Sequence, residues 1–492
     1  MVAPEHGDQM TAKTGLGILC ACLLAGLLST ARAEVMTGPE LQRYQRDIRN
    51  TDEQVGETSA AEVMRKILAR PLPDINHSHW PATRFGVHGM ELPFVKYGQD
   101  EQKIGRAYEL LARAGVQSLR TAEGVWHRLG TNYDHYTELD YQLAMASRYG
   151  LTLMLTVGYP PEQFSMVPSY HSTIKPEFEE KFRDYLHKTL ERAKGQVEIA
   201  ELANEVDAPQ VWWLGATADL YVRDMRILWE EARKVDPSIR LAAFAATYSR
   251  NNELGGENGG RRFVNRCFEL GIDRYADLYT LHYTWPMAER DFPAYFHREM
   301  AQHGGEKPLV NSEETGCGPP SDVIKLFCRD LLLYGMERVY YFLARDFYEN
   351  DQLTYTGLFD AQWNPKPRLL AYAAAVDAIG DRSLVGMAQP ASGIEAYVLK
   401  SPENPADYAI VLWKNDPNVK DTILEAPMPP RATSLKVNGL KSVKQVRNWR
   451  LDPVSTEQNG SAVNVDDQPL VIFTSAAPAW DLMTPAQWLQ RH

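Results

Sequence analysis

Basic residues are the first shortage in this chain. Lys and Arg number 52 against 64 Asp and Glu, which leaves a formal charge of −12 over 492 residues. A general nucleic-acid binder needs a basic face, so composition argues against that class. The same acidity would repel a strongly anionic polymer, and a neutral or lightly charged partner is the simpler expectation. Cysteine is scarce as well, with five in the chain, and no Cys/His spacing matches a zinc site, so neither metal nor cofactor is expected. Cys267, Cys317 and Cys328 lie beyond the N-terminal region. Being odd in number, they leave at least one thiol unpaired within a monomer, with Cys317–Cys328 the bridge to consider. The loop Asn251–Gly260 is glycine-rich but carries no Gly-Lys-Ser/Thr, and no glycine-rich turn follows an early strand. Its reading is a rim loop, and a doubly wound nucleotide-binding sheet loses its main signature. Beyond Ala33 no apolar run is long enough to cross a bilayer.

What is present begins with an address. Lys13 precedes the apolar stretch Gly15–Leu28, and Ser29-Thr-Ala-Arg-Ala33 supplies an Ala-x-Ala site. The pattern predicts a signal peptide over residues 1–33, cleavage after Ala33 and an exported mature chain with no membrane span of its own. Leu19-Cys-Ala-Cys22 is an imperfect lipidation site, so a lipid on Cys22 stays open. Hydrophobic residues make up 44% of the chain and aromatics 10%, enough to bury a large core.

Residues 34–84 read as a polar, helix-leaning arm, with an amphipathic turn or two at Ala60–Leu68. From Phe85 short apolar runs alternate with helical stretches. The runs are Phe85–Met90, Ser118–Thr121, Leu151–Val157, Glu198–Ala203, Leu241–Thr247, Leu278–Tyr283, Pro308–Ser312 and Arg338–Phe342. Amphipathic helices such as Asp100–Ala114, Pro176–Ala193 and Thr217–Val235 lie between them, and Gly115, Gly150, Gly195 and Gly271 follow helical stretches as C-terminal caps. Repeated βα units over residues 85–379 predict an α/β fold, a (β/α)8 TIM barrel. After Ala378 the texture turns to short strands with turn signals at Asn438-Gly439 and Asn459-Gly460, so residues 380–492 are expected to form a β-sandwich. No low-complexity linker separates the two, which predicts a docked second domain.

Two runs end in acids. Glu198–Ala203 is followed by Asn204-Glu205, and Pro308–Ser312 by Glu313-Glu314. In a parallel barrel, side chains at C-terminal strand ends face the reaction centre. Strands four and seven lie across the mouth from each other, so their acids can meet over one sugar ring. Retaining glycoside hydrolysis needs such a pair about 5–5.5 Å apart, one acting as nucleophile and the other as general acid and then base. Asn204 could bond a substrate hydroxyl. Residues 313 and 314 point to opposite faces in a regular strand, so one of them reaches substrate.

Ala203-Asn-Glu205 resembles the Asn-Glu that ends strand four in clan A glycoside hydrolases, and Ser312-Glu-Glu-Thr-Gly316 resembles their Thr/Ser-x-Glu-x-Gly at strand seven. Leu119-Arg120, Leu281-His-Tyr283, Gly357-Leu-Phe-Asp360 and Asn364-Pro-Lys-Pro367 are similar to family 39 and related polysaccharide-cleaving enzymes. The resemblance spans about residues 85–375. It implies Glu205 as acid/base, kept protonated by burial and a nearby negative charge, and Glu314 as nucleophile, with Glu313 the alternative. It implies Arg120 as the partner that keeps the nucleophile ionised, and His88, Asn204, His282 and Tyr283 as substrate-binding or orienting groups. Ala203 and Val206 depart from the family's usual aromatic and proline. Trp126, Tyr159, Trp212, Trp213, Trp285, Phe342 and Phe347 follow strand ends, and Trp126 and Trp285 are the foremost candidates to stack on sugar. The expected partner is thus a carbohydrate, an exopolysaccharide of the producing cell by resemblance. A transglycosylase and a catalytically inactive polysaccharide-binding barrel remain the competing readings; the sequence says nothing of oligomeric state.

Overall fold

Eight apolar runs become eight parallel strands, and the strands close on themselves. In the computed structural model, the described residues are 58–73, 83–90, 101–208, 213–247, 259–284, 292–315, 319–346, 348–349, 352–353, 356–415, 434–457 and 460–491. Residues 1–57, with Cys22 among them, the loop 251–258, Trp212, Trp285, Cys317 and Phe347 lie outside them. The strands are β1 Phe85–His88, β2 Ser118–Thr121, β3 Thr152–Val157, β4 Val197–Leu202, β5 Arg240–Ala246, β6 Leu278–His282, β7 Leu309–Glu314 and β8 Arg338–Phe342. They pair in chain order, with β1 bonded to both β2 and β8. None of the helices among the described residues is long and apolar enough to cross a membrane.

The barrel is plugged, not hollow. Met154, Ile199, Ala242, Leu278, Val310 and Tyr340, one from each of β3 to β8, form a layer across its axis. Gly86 is β1's contribution to the plug: a Cβ there would stand 2.3 Å from Tyr340 Cδ1. Below that layer Arg338 bonds Glu198 Oε1 at 2.7 Å and the Tyr340 hydroxyl at 3.0 Å, and that hydroxyl pairs with Ser118 at 2.8 Å. Floor and plug therefore share one ring. Gly86→Ala is expected to destabilise the chain by about 1–3 kcal/mol through overpacking. An unchanged urea midpoint would show that the Tyr340 ring can yield.

Helices cover the outside as their periodicity predicts. Glu101–Ala114 buries Ile104, Ala107, Tyr108 and Leu111. Ala218–Val235 starts where the Thr217 hydroxyl accepts the Leu220 N–H, and Thr137–Tyr149 stops at Gly150 with φ 68°. Helix Ala60–Leu68 buries Val63 and Ile67, and its Lys66 reaches Asp452 at 2.6 Å, tying the N-terminal segment to the C-terminal one.

The C-terminal part is a sandwich. Five antiparallel strands lie in the order Ser383–Ala388, Ile394–Lys400, Tyr408–Lys414, Leu470–Thr474, Val443–Asn448, facing the pair Leu435–Asn438 and Ala462–Val465. Alternation decides where each residue goes. Tyr397, Leu399, Ala409, Val411 and Trp413 join the barrel's core, whereas Ala396, Val398, Ile410 and Leu412 fill the sandwich with Val437, Val463 and Val465. Both faces are buried, which is why these strands are apolar throughout. Asn438-Gly439 is a turn but not a hairpin, because the strands on either side of it belong to different sheets. Cys267 and Cys328 are buried free thiols, so Cys328 is not bridged.

Candidate active site

The chain leaves β4 through a tight turn. Ala203 and Glu205 both take left-handed backbone, φ 62° and 49°, a conformation that side-chain-bearing residues hold only when their surroundings impose it. Tyr159, just past β3, imposes it: its hydroxyl donates to the Asn204 carbonyl at 2.8 Å and accepts the Asn204 N–H at 2.9 Å. The turn brings Glu205, 2% exposed, over the barrel axis.

Across the mouth, β7 departs from a regular strand. His282 of β6 pairs with Glu313 where Leu281 pairs with Asn311, and β8 sees the same extra residue between Asn311 and Glu314. This is a β-bulge, one surplus residue that shifts the side-chain alternation beyond it. Val310 faces the interior plug. Regular alternation would carry Ser312 and Glu314 to the same side. The bulge turns Glu313 inward instead and sends Glu314 out of the barrel.

One carboxylate oxygen from each of Glu205 and Glu313 and a ring nitrogen of His282 lie within 4.8 Å of one another. His282 Nδ1 stands 3.2 Å from Glu205 Oε1 and its Nε2 3.1 Å from Ser312 Oγ. Arg120, 1% exposed, ties the floor of this cluster together. It donates to Glu201 Oε2 at 2.7 Å through Nε, to Glu313 Oε2 at 3.1 Å through Nη1, and to Asn204 Oδ1 at 2.6 Å through Nη2. His88 Nδ1 lies 3.1 Å from Arg120 Nη1 and 3.3 Å from Glu313 Oε2. A guanidinium only donates, so that imidazole nitrogen accepts. The Tyr283 hydroxyl completes the ring by donating to Glu313 Oε1.

The electrostatics separate the two ends of the cluster. Burial drives His282 down to about 3 against the pull of Glu313, with Arg120 adding to the fall, so its imidazole is neutral at working pH. Burial alone would raise Glu313; its attraction to the imidazoles of His282 and His88 when they are protonated, and to the Arg120 guanidinium at every pH, outweighs that and holds its carboxyl well below the usual carboxylate range. Of these, Arg120 is the permanent charge. By separation the three donor atoms would suit a cation, but Arg120 already supplies Glu313 with its positive partner, and the donor set fits a pair of acids better.

Glu314 has a different neighbourhood. Its Oε2 accepts from the Thr284 N–H at 2.5 Å, the Thr284 hydroxyl at 2.8 Å and Asn311 Nδ2 at 2.8 Å. Asp330, on a π-helical turn over Cys328–Leu333, joins the group through Thr284 Oγ1 and Asn311 Nδ2. Trp126 is also elsewhere. It is 0% exposed and stacks on Tyr185 at 5.0 Å and Phe164 at 5.2 Å, because its backbone N–H bonds the Gly158 carbonyl and turns the chain into a short helix beneath the loops. Trp213 is buried between Tyr159 and Tyr221, and Phe342 packs against His88.

The structure thus brings Glu205, Asn204, Arg120, His88, His282 and Tyr283 together, sets Glu313 among them in place of Glu314, backs the Asn204 turn with Tyr159, and adds Glu201 and Ser312. Glu201 had a sequence signal: it shares with Glu198 a strand whose other residues are apolar, and an acid buried in such a strand has to find a partner.

A closed (β/α)8 barrel with two acids at the ends of β4 and β7 is the class that fold and site define. No protein-family model and no curated protein sequence matches the chain. Its fold is similar to that of a family 39 glycoside hydrolase from the gut symbiont Bacteroides cellulosilyticus WH2, with a TM-score of 0.61 and 15% identity over 82% of this chain and 83% of that one. It is similar also to a GH30 endoxylanase from Clostridium papyrosolvens C71, TM-score 0.55 and 14% identity over 80% and 96%. A conserved exported protein from Bacteroides fragilis gives 0.55 at 10% identity over 80% and 97%. At these identities the likeness is one of fold.

Proposed function

We propose that the chain is a retaining glycoside hydrolase acting on a poly- or oligosaccharide by double displacement, with Glu313 as nucleophile and Glu205 as acid/base. The observation that carries this is the approach of Glu205, His282 and Glu313 to within 4.8 Å at the mouth of the barrel. That separation suits the retaining geometry of about 5–5.5 Å better than that of an inverting pair, about 6.5–9.5 Å. Glu313 Oε attacks the anomeric carbon while the Glu205 proton passes to the glycosidic oxygen and the leaving sugar departs. Glu205, now ionised, takes a proton from water, which displaces Glu313 and returns the original anomeric configuration.

The surrounding groups fit these roles. Arg120 and Tyr283 keep Glu313 anionic and aimed. Neutral His282 serves Glu205 in either state, because Ser312 can donate or accept as the tautomer requires. Asn204 and His88 remain positioned for sugar hydroxyls. Export after Ala33 fits a polymer substrate outside the cytoplasm, and a bacterial exopolysaccharide is one such substrate. Xylan is another, given the endoxylanase among the fold's neighbours. A glycan panel containing xylans, β-glucans, galactans and exopolysaccharides, with the product anomer followed by NMR, tests the reading. Cleavage with retained configuration is expected. Inverted product would remove the covalent mechanism, and cleavage of none would remove the activity. New, longer glycans in the same assay would mark a transglycosylase.

A further inference from the structure

The loop that follows β3 carries a feature outside the catalytic ring. Among the described residues five large hydrophobic side chains are strongly exposed, and two of them, Met166 and Tyr170, share this loop, each 40% exposed. Isolated exposed apolar residues are ordinary. Tyr170 differs in being held. Its ring stacks on His127 at 4.2 Å, with 27° between the planes, and meets His171 edge-on at the same distance. The loop beneath is fixed to the barrel. Met166 N bonds the Thr173 carbonyl at 2.9 Å, Leu214 N bonds the His171 carbonyl at 2.8 Å, and the Ser172 hydroxyl bonds the Leu214 carbonyl at 2.7 Å. Thr173 bonds Asp224 at 2.5 Å, and Arg223 bonds the Ile174 carbonyl at 2.8 Å, both from the helix Ala218–Val235. His127 is pushed down to about 4 by its burial and by Arg128, so a neutral ring supports the tyrosine.

The platform is continuous with the site. His171 lies 5.5 Å from Tyr159, and Tyr159 is the residue whose hydroxyl clamps the Asn204 backbone next to Glu205. It therefore stands on the flank of the proton donor, away from β7. In a glycoside hydrolase that flank receives the leaving-group portion of the chain, since the acid protonates the oxygen that departs. We propose that Tyr170, backed by His127 and His171, is a stacking subsite for a sugar ring on the leaving-group side, beyond the first leaving sugar. A ring already immobilised by its neighbours loses little freedom when a pyranose face settles on it, which favours binding. The subsite selects long chains over short ones and, in the reverse sense, holds acceptor sugars.

This rests on the glycosidase reading, and the test separates the two. Oligosaccharides of three and six units, prepared from the polysaccharide the wild-type chain cleaves in the panel, are compared by kcat/KM. Tyr170→Ala and Tyr170→Leu should lower the six-to-three ratio by about tenfold, the effect of losing one aromatic stack. Tyr170→Phe should keep it, since the ring face and not the hydroxyl makes the contact. If wild type cleaves and all three variants keep the wild-type ratio, the subsite is wrong and the catalytic reading stands. If wild type cleaves no glycan, both fall together.

Discussion

Glu313→Gln and Glu205→Gln are each expected to lower turnover of natural glycans by about 10³-fold or more, and to fail in different ways. Without a carboxylate at 313 no covalent intermediate forms, so even a substrate with an activated leaving group, such as a dinitrophenyl glycoside, stays intact. Without a proton donor at 205 the activated leaving group departs unaided, the intermediate accumulates, and a burst precedes slow release. Azide sharpens the contrast. Added to Glu205→Ala it attacks the glycosyl-enzyme from the open face and yields a glycosyl azide of retained configuration. Added to Glu313→Ala it occupies the nucleophile's place and yields the inverted azide. Glu314→Gln is the control for the bulge in β7, because the Glu314 carboxyl accepts from Thr284 and Asn311 and lies outside the mouth. If Glu314→Gln were silent and Glu313→Gln active, the register of β7 would be assigned the wrong way round.

That register is where the sequence stopped being readable. Apolar runs bounded by polar turns mark buried parallel strands whatever their detailed pairing, so β1 to β8 fall on the expected runs with ends moved by a residue or two. Alternation within a strand can be read only while the strand is regular. One surplus residue in β7 exchanges the faces of Glu313 and Glu314, and nothing local in Asn311-Ser-Glu-Glu announces it. The fourth strand posed no such problem, since Glu205 lies beyond it on a turn fixed by Tyr159. Trp126 shows a second limit. Adjacency to a strand end places a residue near the mouth but says nothing of direction, and a backbone bond to Gly158 points the ring into the outer core. Arg120 came from the motif resemblance alone. The structure supplies the physical reason: its guanidinium lies inside a buried strand and faces the acids Glu201 and Glu313.

Asp330→Asn is expected to reduce a loss of stability between about pH 4 and pH 7 that the wild-type chain should show. Thr284 has one hydroxyl proton, yet its Oγ1 lies within bonding distance of both Glu314 Oε2 and Asp330 Oδ1. One of the two acids must then supply a proton, and Asp330 is the better holder: burial pushes it up to about 7 against the opposing effect of its hydrogen bonding with Thr284, Asn311 and Glu314. Arg329, the nearest cation, is itself bonded to Glu395 at 3.1 Å, which leaves it a weak counter-charge. A carboxyl whose folded pKa lies above its unfolded value stabilises fully below the unfolded value and loses that contribution as pH rises through the folded one. Over this interval the unfolded chain releases a proton that the folded chain keeps, so stability falls by on the order of 4 kcal/mol, the shift from 3.8 to about 7 converted at 1.36 kcal/mol per unit. An asparagine amide can donate to Glu314 and accept from Asn311 without titrating, so between pH 5 and pH 7.5 the variant's urea midpoint should fall less than wild type's, the remainder coming from groups such as Asp224, which burial pushes up to about 6. Urea melts at the two values decide it: a fall of equal size in wild type and Asp330→Asn would place the shared proton on another group, Glu314 first.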